Sequence, residues 1–378
     1  MEIPILDLKR EYNSIKKEVD KELSDCLKTQ HWVLGEKVSE FEKKSAEYLG
    51  VKYAVGVASG TDALTLSLTA VAIKLKNKEC FDKKDEIITT PFTFIATAEA
   101  ISRCGATPVF VDINLYTYNI EPAEIEKAVT KNTVGIMPVH LYGLGCDMTA
   151  ISKIAKKHKL FIVEDTAQSF GGIHKNKKLG TFGDLGAYSF FPSKNLGGFG
   201  DGGLIVTNNE KLEKLLRILR NHGQVTQYDA AYLGFNSRLD SIQASVLGVK
   251  LKVIDKVNAE RIKIAEQYNI AFADIKQIQT PDMPNMDKHI YHLYTIKVSS
   301  KRDKFLECLN SKGIGARVYY PVPLNKMKAF KDSKIKGNLK NSEQSSKNVL
   351  SLPIHPFLKA EEINYVIKTV KTFFESKG

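Results

Sequence analysis

Between Tyr53 and Glu164 the chain switches repeatedly from a short apolar run to a helical periodicity and back, and this alternation is the strongest constraint on its fold. Tyr53-Ala-Val-Gly-Val57 reads as a strand that runs through Ala58-Ser-Gly-Thr-Asp62 into a helix over 63–75. Strand signals follow at 86–90, 108–111, 134–139 and 160–164, separated by helical ones at 96–104, 122–129 and 147–157. Short strands alternating with helices pack as a largely parallel sheet covered on both faces. Such sheets bind ligands beyond the carboxyl ends of their strands. The expectation is an α/β fold with its site on that rim.

Two amphipathic helices precede this region, over 14–28 (Ile15, Val19, Leu23, Leu27) and 36–49 (Val38, Phe41, Leu49). Beyond a strand at 204–207 the reading continues with helices at 210–220, 239–255 and 259–272. A turn-rich stretch near Pro281, a strand at 291–298, a helix at 302–312, a strand at 315–320 and a last helix at 360–375 follow. This texture divides the chain into a large unit, residues 1–250, and a smaller C-terminal α+β unit, residues 251–378.

The formal charge of +12 favours an anionic partner, but the lysines are spread out with no run of five or six. A lysine-rich surface explains most of the excess and an anionic small molecule is the next choice. Five cysteines, an odd number with no Cys-x-x-Cys pair, read as reduced residues and not as a disulfide or metal framework. No metal is expected. The first twenty residues lack a secretory signal, and the longest uncharged apolar stretch, 63–73, is too short to span a bilayer. We therefore expect a soluble cytoplasmic protein with neither membrane nor nucleic-acid partners.

Three features then fall at strand ends. Ser59-Gly60-Thr61-Asp62 is a strand-to-helix turn whose free N–H groups suit a phosphate, although the same residues make a good helix N-cap. Phe161-Ile-Val-Glu-Asp165 delivers a carboxylate to the same rim, three residues before Gln168. Such an acid can keep a pyridine nitrogen protonated, and it can equally sit in a structural salt bridge. Lys194 lies in GDLGAYSFFPSKNLGGFGDGGLIVTN, five residues after Ser189 and among glycines that let backbone approach a bound group. Burial there would lower its pKa, as carbonyl chemistry requires, whereas a solvated loop lysine is the plainer reading. Phosphate turn, acid and lysine in this order are what pyridoxal 5'-phosphate needs.

The chain resembles the DegT/DnrJ-type, fold type I sugar aminotransferases nearly end to end, through VGVASGTDAL, TPFTFIATAEAI, VFVDINLYTYNI, PVHLYGLGCDM, IVEDTAQSFGG, YSFFPSKNLGGFGDGG, GFNSRLDSIQAS, YYPVPLNKM and LSLPIHPFL. The resemblance implies that Lys194 forms the Schiff base and shuttles protons, that Asp165 pairs with the pyridine nitrogen and that Gln168 lies near the ring hydroxyl. It implies that Phe94 stacks on the ring. Gly60, Thr61 and Ser189 would hold the phosphate, joined by Asn236 from the neighbouring subunit of a homodimer. Arg238 would reach an anionic substrate group or make an interface salt bridge, and Tyr320 would face the sugar.

Two positions depart from the family pattern. Tyr319-Tyr320-Pro321 stands where His-Tyr-Pro is common, and Asn325 where a histidine often follows Pro-Leu. Both fall in the substrate region and leave the cofactor chemistry intact. Gly198 to Gly203 matches a dinucleotide-site spacing but leads into a strand-like run, so that reading is discarded. His140 and His222 read as structural. The implied activity is amino transfer from L-glutamate to a keto group of a nucleotide-linked sugar. NHGQ, NSRLD and FFPSKNLG resemble family members acting at C-3 of the hexose, a resemblance that implies a dTDP-3-keto-6-deoxyhexose, with a UDP-linked 3-keto sugar as the alternative. A regulator that uses the fold without turnover is the rival from another class, and no helix-turn-helix or basic recognition stretch supports it.

Overall fold

A computed structural model describes residues 1–281 and 287–375. Its centre is an eight-stranded sheet in the spatial order Tyr53–Val57, Gly203–Thr207, Leu185–Ser189, Phe161–Asp165, Thr133–Ile136, Glu86–Thr89, Thr107–Phe110 and Lys334–Ile335. Gly203–Thr207 runs antiparallel to both its neighbours and the remaining pairs are parallel. The central strands are buried on both faces, which is why they read as continuous apolar runs without polar alternation. Helix Gly60–Lys76 is buried all round from Ala63 to Ile73 because it lies in the main core with Val163, Leu185 and Ile205.

A second core forms around a three-stranded antiparallel sheet ordered Ile278–Gln279, Tyr294–Val298, Val349–Leu352. Tyr268, Phe272, Tyr294, Phe305 and Val366 fill it, and Ile3 from the start of the chain joins them. We propose the division of the chain near residue 250 on this packing. Helix Ser241–Leu251 packs into the large unit, whereas helix Ile254–Phe272 begins there with Ile254 and ends among the C-terminal core residues. Lys334–Ile335 returns from the C-terminal part to extend the large sheet beside Thr107–Phe110.

Most expected elements occur within a few residues of their predicted bounds, and four readings need correction. The strand expected over 315–320 is absent: Arg317 makes a single bridge to Ser351, and the chain then leaves to pack Tyr319 and Tyr320 near Phe92 and Tyr142. The third strand of that sheet is Val349–Leu352, reached through helix Lys340–Asn348, whose sequence KNSEQSSKN has no apolar periodicity to signal it. The break between the two long helices falls at 252–253, not at 256–258. The first helix starts at Leu8, where the Asp7 carboxylate accepts the Arg10 N–H at 2.9 Å, and its apolar stripe ends early because Leu27 is 57% exposed. Of the turn-rich stretch 279–288, residues 282–286 lie outside the described residues.

Candidate active site

The expected phosphate turn is built at the edge where the antiparallel strand enters. Gly203 pairs with Val57 on one side and with Ser189 on the other, so it draws the ends of two parallel strands together. A Cβ on Gly203 would meet the Ser59 carbonyl oxygen at 2.3 Å, and one on Gly60 would meet Ser189 Cβ at 2.5 Å. Only glycine lets these segments approach. Ser59 caps helix Gly60–Lys76 by accepting the Asp62 N–H at 3.1 Å, which engages its hydroxyl. The Thr61 hydroxyl has no such engagement among the described residues and stays available. The result is a small cradle at a helix N-terminus, lined by Gly60, Thr61 and Ser189, that any β-carbon would fill.

Asp165 ends the central strand and is 5% exposed. Burial raises its pKa above the ordinary carboxylate range, opposed by the Thr97 hydroxyl, which donates to Oδ2 at 2.7 Å, and by the Ala167 N–H, which donates to Oδ1 at 3.2 Å. Beneath it lies a support that the sequence reading passed over. Glu164, fully buried, accepts from the backbone N–H groups of Gly180, Phe182 and Gly183 and faces His140 Nε2 at 2.9 Å. His140 Nδ1 accepts the Cys146 N–H at 3.0 Å, so its Nε2 carries the proton and donates to Glu164. His140 is thus structural, as expected, and its N–H bonds the Asp165 carbonyl at 3.0 Å. Two adjacent acids at the end of an apolar strand were the available signal. His222 is exposed and makes a backbone bond to Phe235, away from these groups.

Lys194 sits on a tight loop whose N–H bonds the Phe191 carbonyl at 2.8 Å. Gly197 closes that loop, since a Cβ there would lie 2.5 Å from the Pro192 carbonyl oxygen. Next to the lysine, the Asn195 side-chain amide donates to Asn258 Oδ1 at 2.8 Å and to the Ile290 carbonyl at 3.2 Å, which fastens the loop to the following unit. Burial pushes the Lys194 ammonium down to about 8, and the Asp165 charge opposes the shift. A desolvated amine of lowered basicity is what a carbonyl-capturing lysine requires.

The opposite wall comes from farther along the chain. Gln168 Oε1 accepts the Tyr142 N–H at 2.8 Å, and Gln168 Nε2 donates to the Tyr320 hydroxyl at 3.0 Å. Tyr142, missed in the sequence, also donates its hydroxyl to the Tyr319 carbonyl. Phe94 is 56% exposed with its ring centroid 6.3 Å from that of Tyr320, leaving one face open. Asn236 is exposed and Arg238 bonds Asn221 Oδ1 at 3.1 Å. Among the described residues no hydrogen bond or ion pair joins either of them to Asp165 or Lys194 of the same chain.

The residues fit pyridoxal 5'-phosphate: a cradle with open N–H groups for a phosphate, a buried acid for a ring nitrogen and a lysine of depressed basicity that feels the charge of that acid. With the large, mostly parallel sheet they define a fold type I transferase dependent on that cofactor. Residues 13–371 match the DegT/DnrJ/EryC1/StrS aminotransferase family, and the chain belongs to it. It is 41% identical to a "pleiotropic regulatory protein" of Geobacillus stearothermophilus over 99% of both chains. It is 40% identical to dTDP-3-amino-3,6-dideoxy-alpha-D-galactopyranose transaminase of Aneurinibacillus thermoaerophilus, covering 98% of this chain and 99% of that one. The structure of NtdA from Bacillus subtilis with bound cofactor PMP superimposes with a TM-score of 0.91 at 31% identity, over 99% of this chain and 86% of the other.

Proposed function

We propose that this aminotransferase moves an amino group from L-glutamate to the C-3 keto group of a nucleotide-linked sugar, for amino-sugar biosynthesis of surface glycans such as lipopolysaccharide. A dTDP-3-keto-6-deoxyhexose is the first substrate and a UDP-linked 3-keto sugar the second. The observation that carries the reading is Lys194, its pKa brought down to about 8 beside the buried Asp165. The dTDP-sugar transaminase relative supports the substrate class. The name of the regulatory relative does not outweigh a lysine tuned in this way.

When bound, pyridoxal 5'-phosphate supplies an electron sink for the carbon that gains or loses nitrogen. Gly60, Thr61 and Ser189 bind its phosphate, with Asn236 of the partner subunit completing the ring of donors. Asp165, held by Thr97 and Ala167, retains the proton on the ring nitrogen. Gln168 contacts the ring hydroxyl and Phe94 covers one ring face. Lys194 would hold the cofactor's carbonyl carbon, and its amine of lowered basicity would carry the proton at the reacting carbon. Arg238 receives an anionic substrate group, and Tyr320 orients the sugar.

A homodimer suits the surface as well as the resemblance. Phe191, Phe199 and Leu233, near the site loops in sequence, are 51%, 43% and 83% exposed, which leaves apolar side chains that a partner subunit would cover. The reading includes a cytoplasmic location; among the described residues no helix is long and apolar enough to cross a membrane. A panel of dTDP- and UDP-linked keto sugars incubated with glutamate, read by the mass of the amino product, tests the proposal. Amination of 3-keto sugars is expected. Activity confined to C-4 ketones would overturn the position, and no amination of any member would overturn the substrate class.

A further inference from the structure

We propose that Ser237 is a positioning residue for the cofactor's phosphate, because its hydroxyl holds the Asp62 carboxylate away from the turn that receives the anion. Ser237 lies far along the chain from that turn and is 1% exposed. Its Oγ donates to Asp62 Oδ2 at 2.8 Å and accepts the Ala58 N–H at 3.2 Å, so the one hydroxyl is clamped on both sides. Its own N–H bonds the Arg220 carbonyl at 3.0 Å. Arg220 is in turn fixed by Glu42 and by the Gly56 carbonyl, which prevents the serine from following a moving partner.

The sequence Ser59-Gly60-Thr61-Asp62 has the spacing of a capping box, in which the acid at the third helical position reaches back to the N–H of the capping residue. Ser59 performs its half by accepting the Asp62 N–H. Asp62 does not perform the other half. Its carboxylate is turned to Ser237, and among the described residues the Ser59 N–H has no hydrogen-bond acceptor. The N–H groups of Gly60 and Thr61, first in the helix, also lack intrahelical acceptors. A carboxylate folded back onto this turn would occupy one of those donors and repel a phosphate carrying up to two negative charges. Ser237 thus keeps an anion site open that the local sequence, left alone, would close on itself.

The inference rests on the reading that the phosphate lies on this turn, and a binding experiment without any sugar separates the two. Apo-protein is titrated with pyridoxal 5'-phosphate and, separately, with pyridoxal, which lacks the phosphate. Ser237→Ala is expected to weaken the phosphorylated ligand on the order of tenfold and leave pyridoxal unchanged. Adding Asp62→Asn should restore the affinity, because the competing charge is gone. Asp62→Glu, whose longer chain escapes the clamp, should show the same selective loss and serves if the alanine variant does not fold. Equal losses for both ligands, no loss, or no rescue by Asp62→Asn would each overturn the role of Ser237. If Ser189→Ala discriminates the two ligands and Ser237→Ala does not, only this inference fails. If neither discriminates, the placement of the phosphate fails with it.

Discussion

The floor of the site and the wall that faces it are made in different ways. Asp165 and Ser189 are paired in the ladder of a single sheet, Gly60 opens the helix that follows one of its strands, and Lys194 sits on the loop between two of them, its N–H bonded to the Phe191 carbonyl. Tyr319 and Tyr320 arrive on a loop from the C-terminal part, held to the floor by Gln168 and Tyr142 through side-chain hydroxyls. A sheet rim can be specified once and kept for one cofactor, whereas a loop can change its side chains without disturbing the ladder. On the proposed function, chemistry would reside on the floor and sugar selection on the wall. One of the two family departures, at Tyr319, falls on the wall.

The largest expected effect breaks the floor. Lys194→Ala should reduce turnover by about 10³-fold or more with the fold retained, and Asp165→Asn by roughly 10²-fold, slowing the glutamate and the sugar half-reactions alike. Stopped-flow measurement of each half-reaction checks this, and a variant impaired in only one half would count against the shared role of the floor.

Acid should separate the two regions next. His355 and His289 belong to the C-terminal side, and burial pushes their pKa values from 6.5 down to about 4 and about 3. Neither ring nitrogen of His355 has a hydrogen-bond partner among the described residues. Because the folded values are depressed, the unfolded chain binds the extra protons first. The stability these neutral rings contribute is therefore complete above pH 6.5 and drains as pH falls toward 4, by up to roughly 3 kcal/mol for His355. Hydrogen exchange followed by mass spectrometry should show residues 349–358 losing protection in that window before residues 161–165 do. Simultaneous loss would mean that the two regions unfold as one.

The smallest effect sharpens the comparison. Tyr320→Phe removes the hydroxyl that meets Gln168 and should raise KM for the keto sugar about tenfold while the glutamate half-reaction keeps its rate. An equal change in both halves would assign Tyr320 to the floor.

The floor was legible because its signals are local. Tyr53–Val57 followed by Ser59-Gly-Thr-Asp, an apolar strand closing on Glu164-Asp165, and a lysine among glycines each announce their element within ten residues, while their chemistry stayed open until the family resemblance joined them. The wall was not. Residues 315–320 alternate like a strand, but only Arg317 bridges to Ser351 of Val349–Leu352 before Tyr319 and Tyr320 turn to pack near Phe92 and Tyr142, and that tertiary choice is invisible to periodicity. Thr97 and Tyr142 stood inside matched stretches without a role, because a hydroxyl acquires one only from the neighbour it meets.

By itself the sequence determined which chemical groups exist and the order in which strand ends present them: open N–H groups, an acid, an amine. Periodicity and turn chemistry act over a few residues, and that range is enough to make a strand, a cap or a tight loop. Only the tertiary structure decided that Gly203–Thr207 enters between Tyr53–Val57 and Leu185–Ser189, so that Gly60 meets Ser189. It also decided that Glu164 turns inward to His140 while Asp165 opens to the cleft, and that Ser237, from the far side of the large unit, holds Asp62. These contacts join residues 24 to 175 positions apart. They arise when buried polar groups must find partners as the layers close, a requirement that no short stretch of sequence can express.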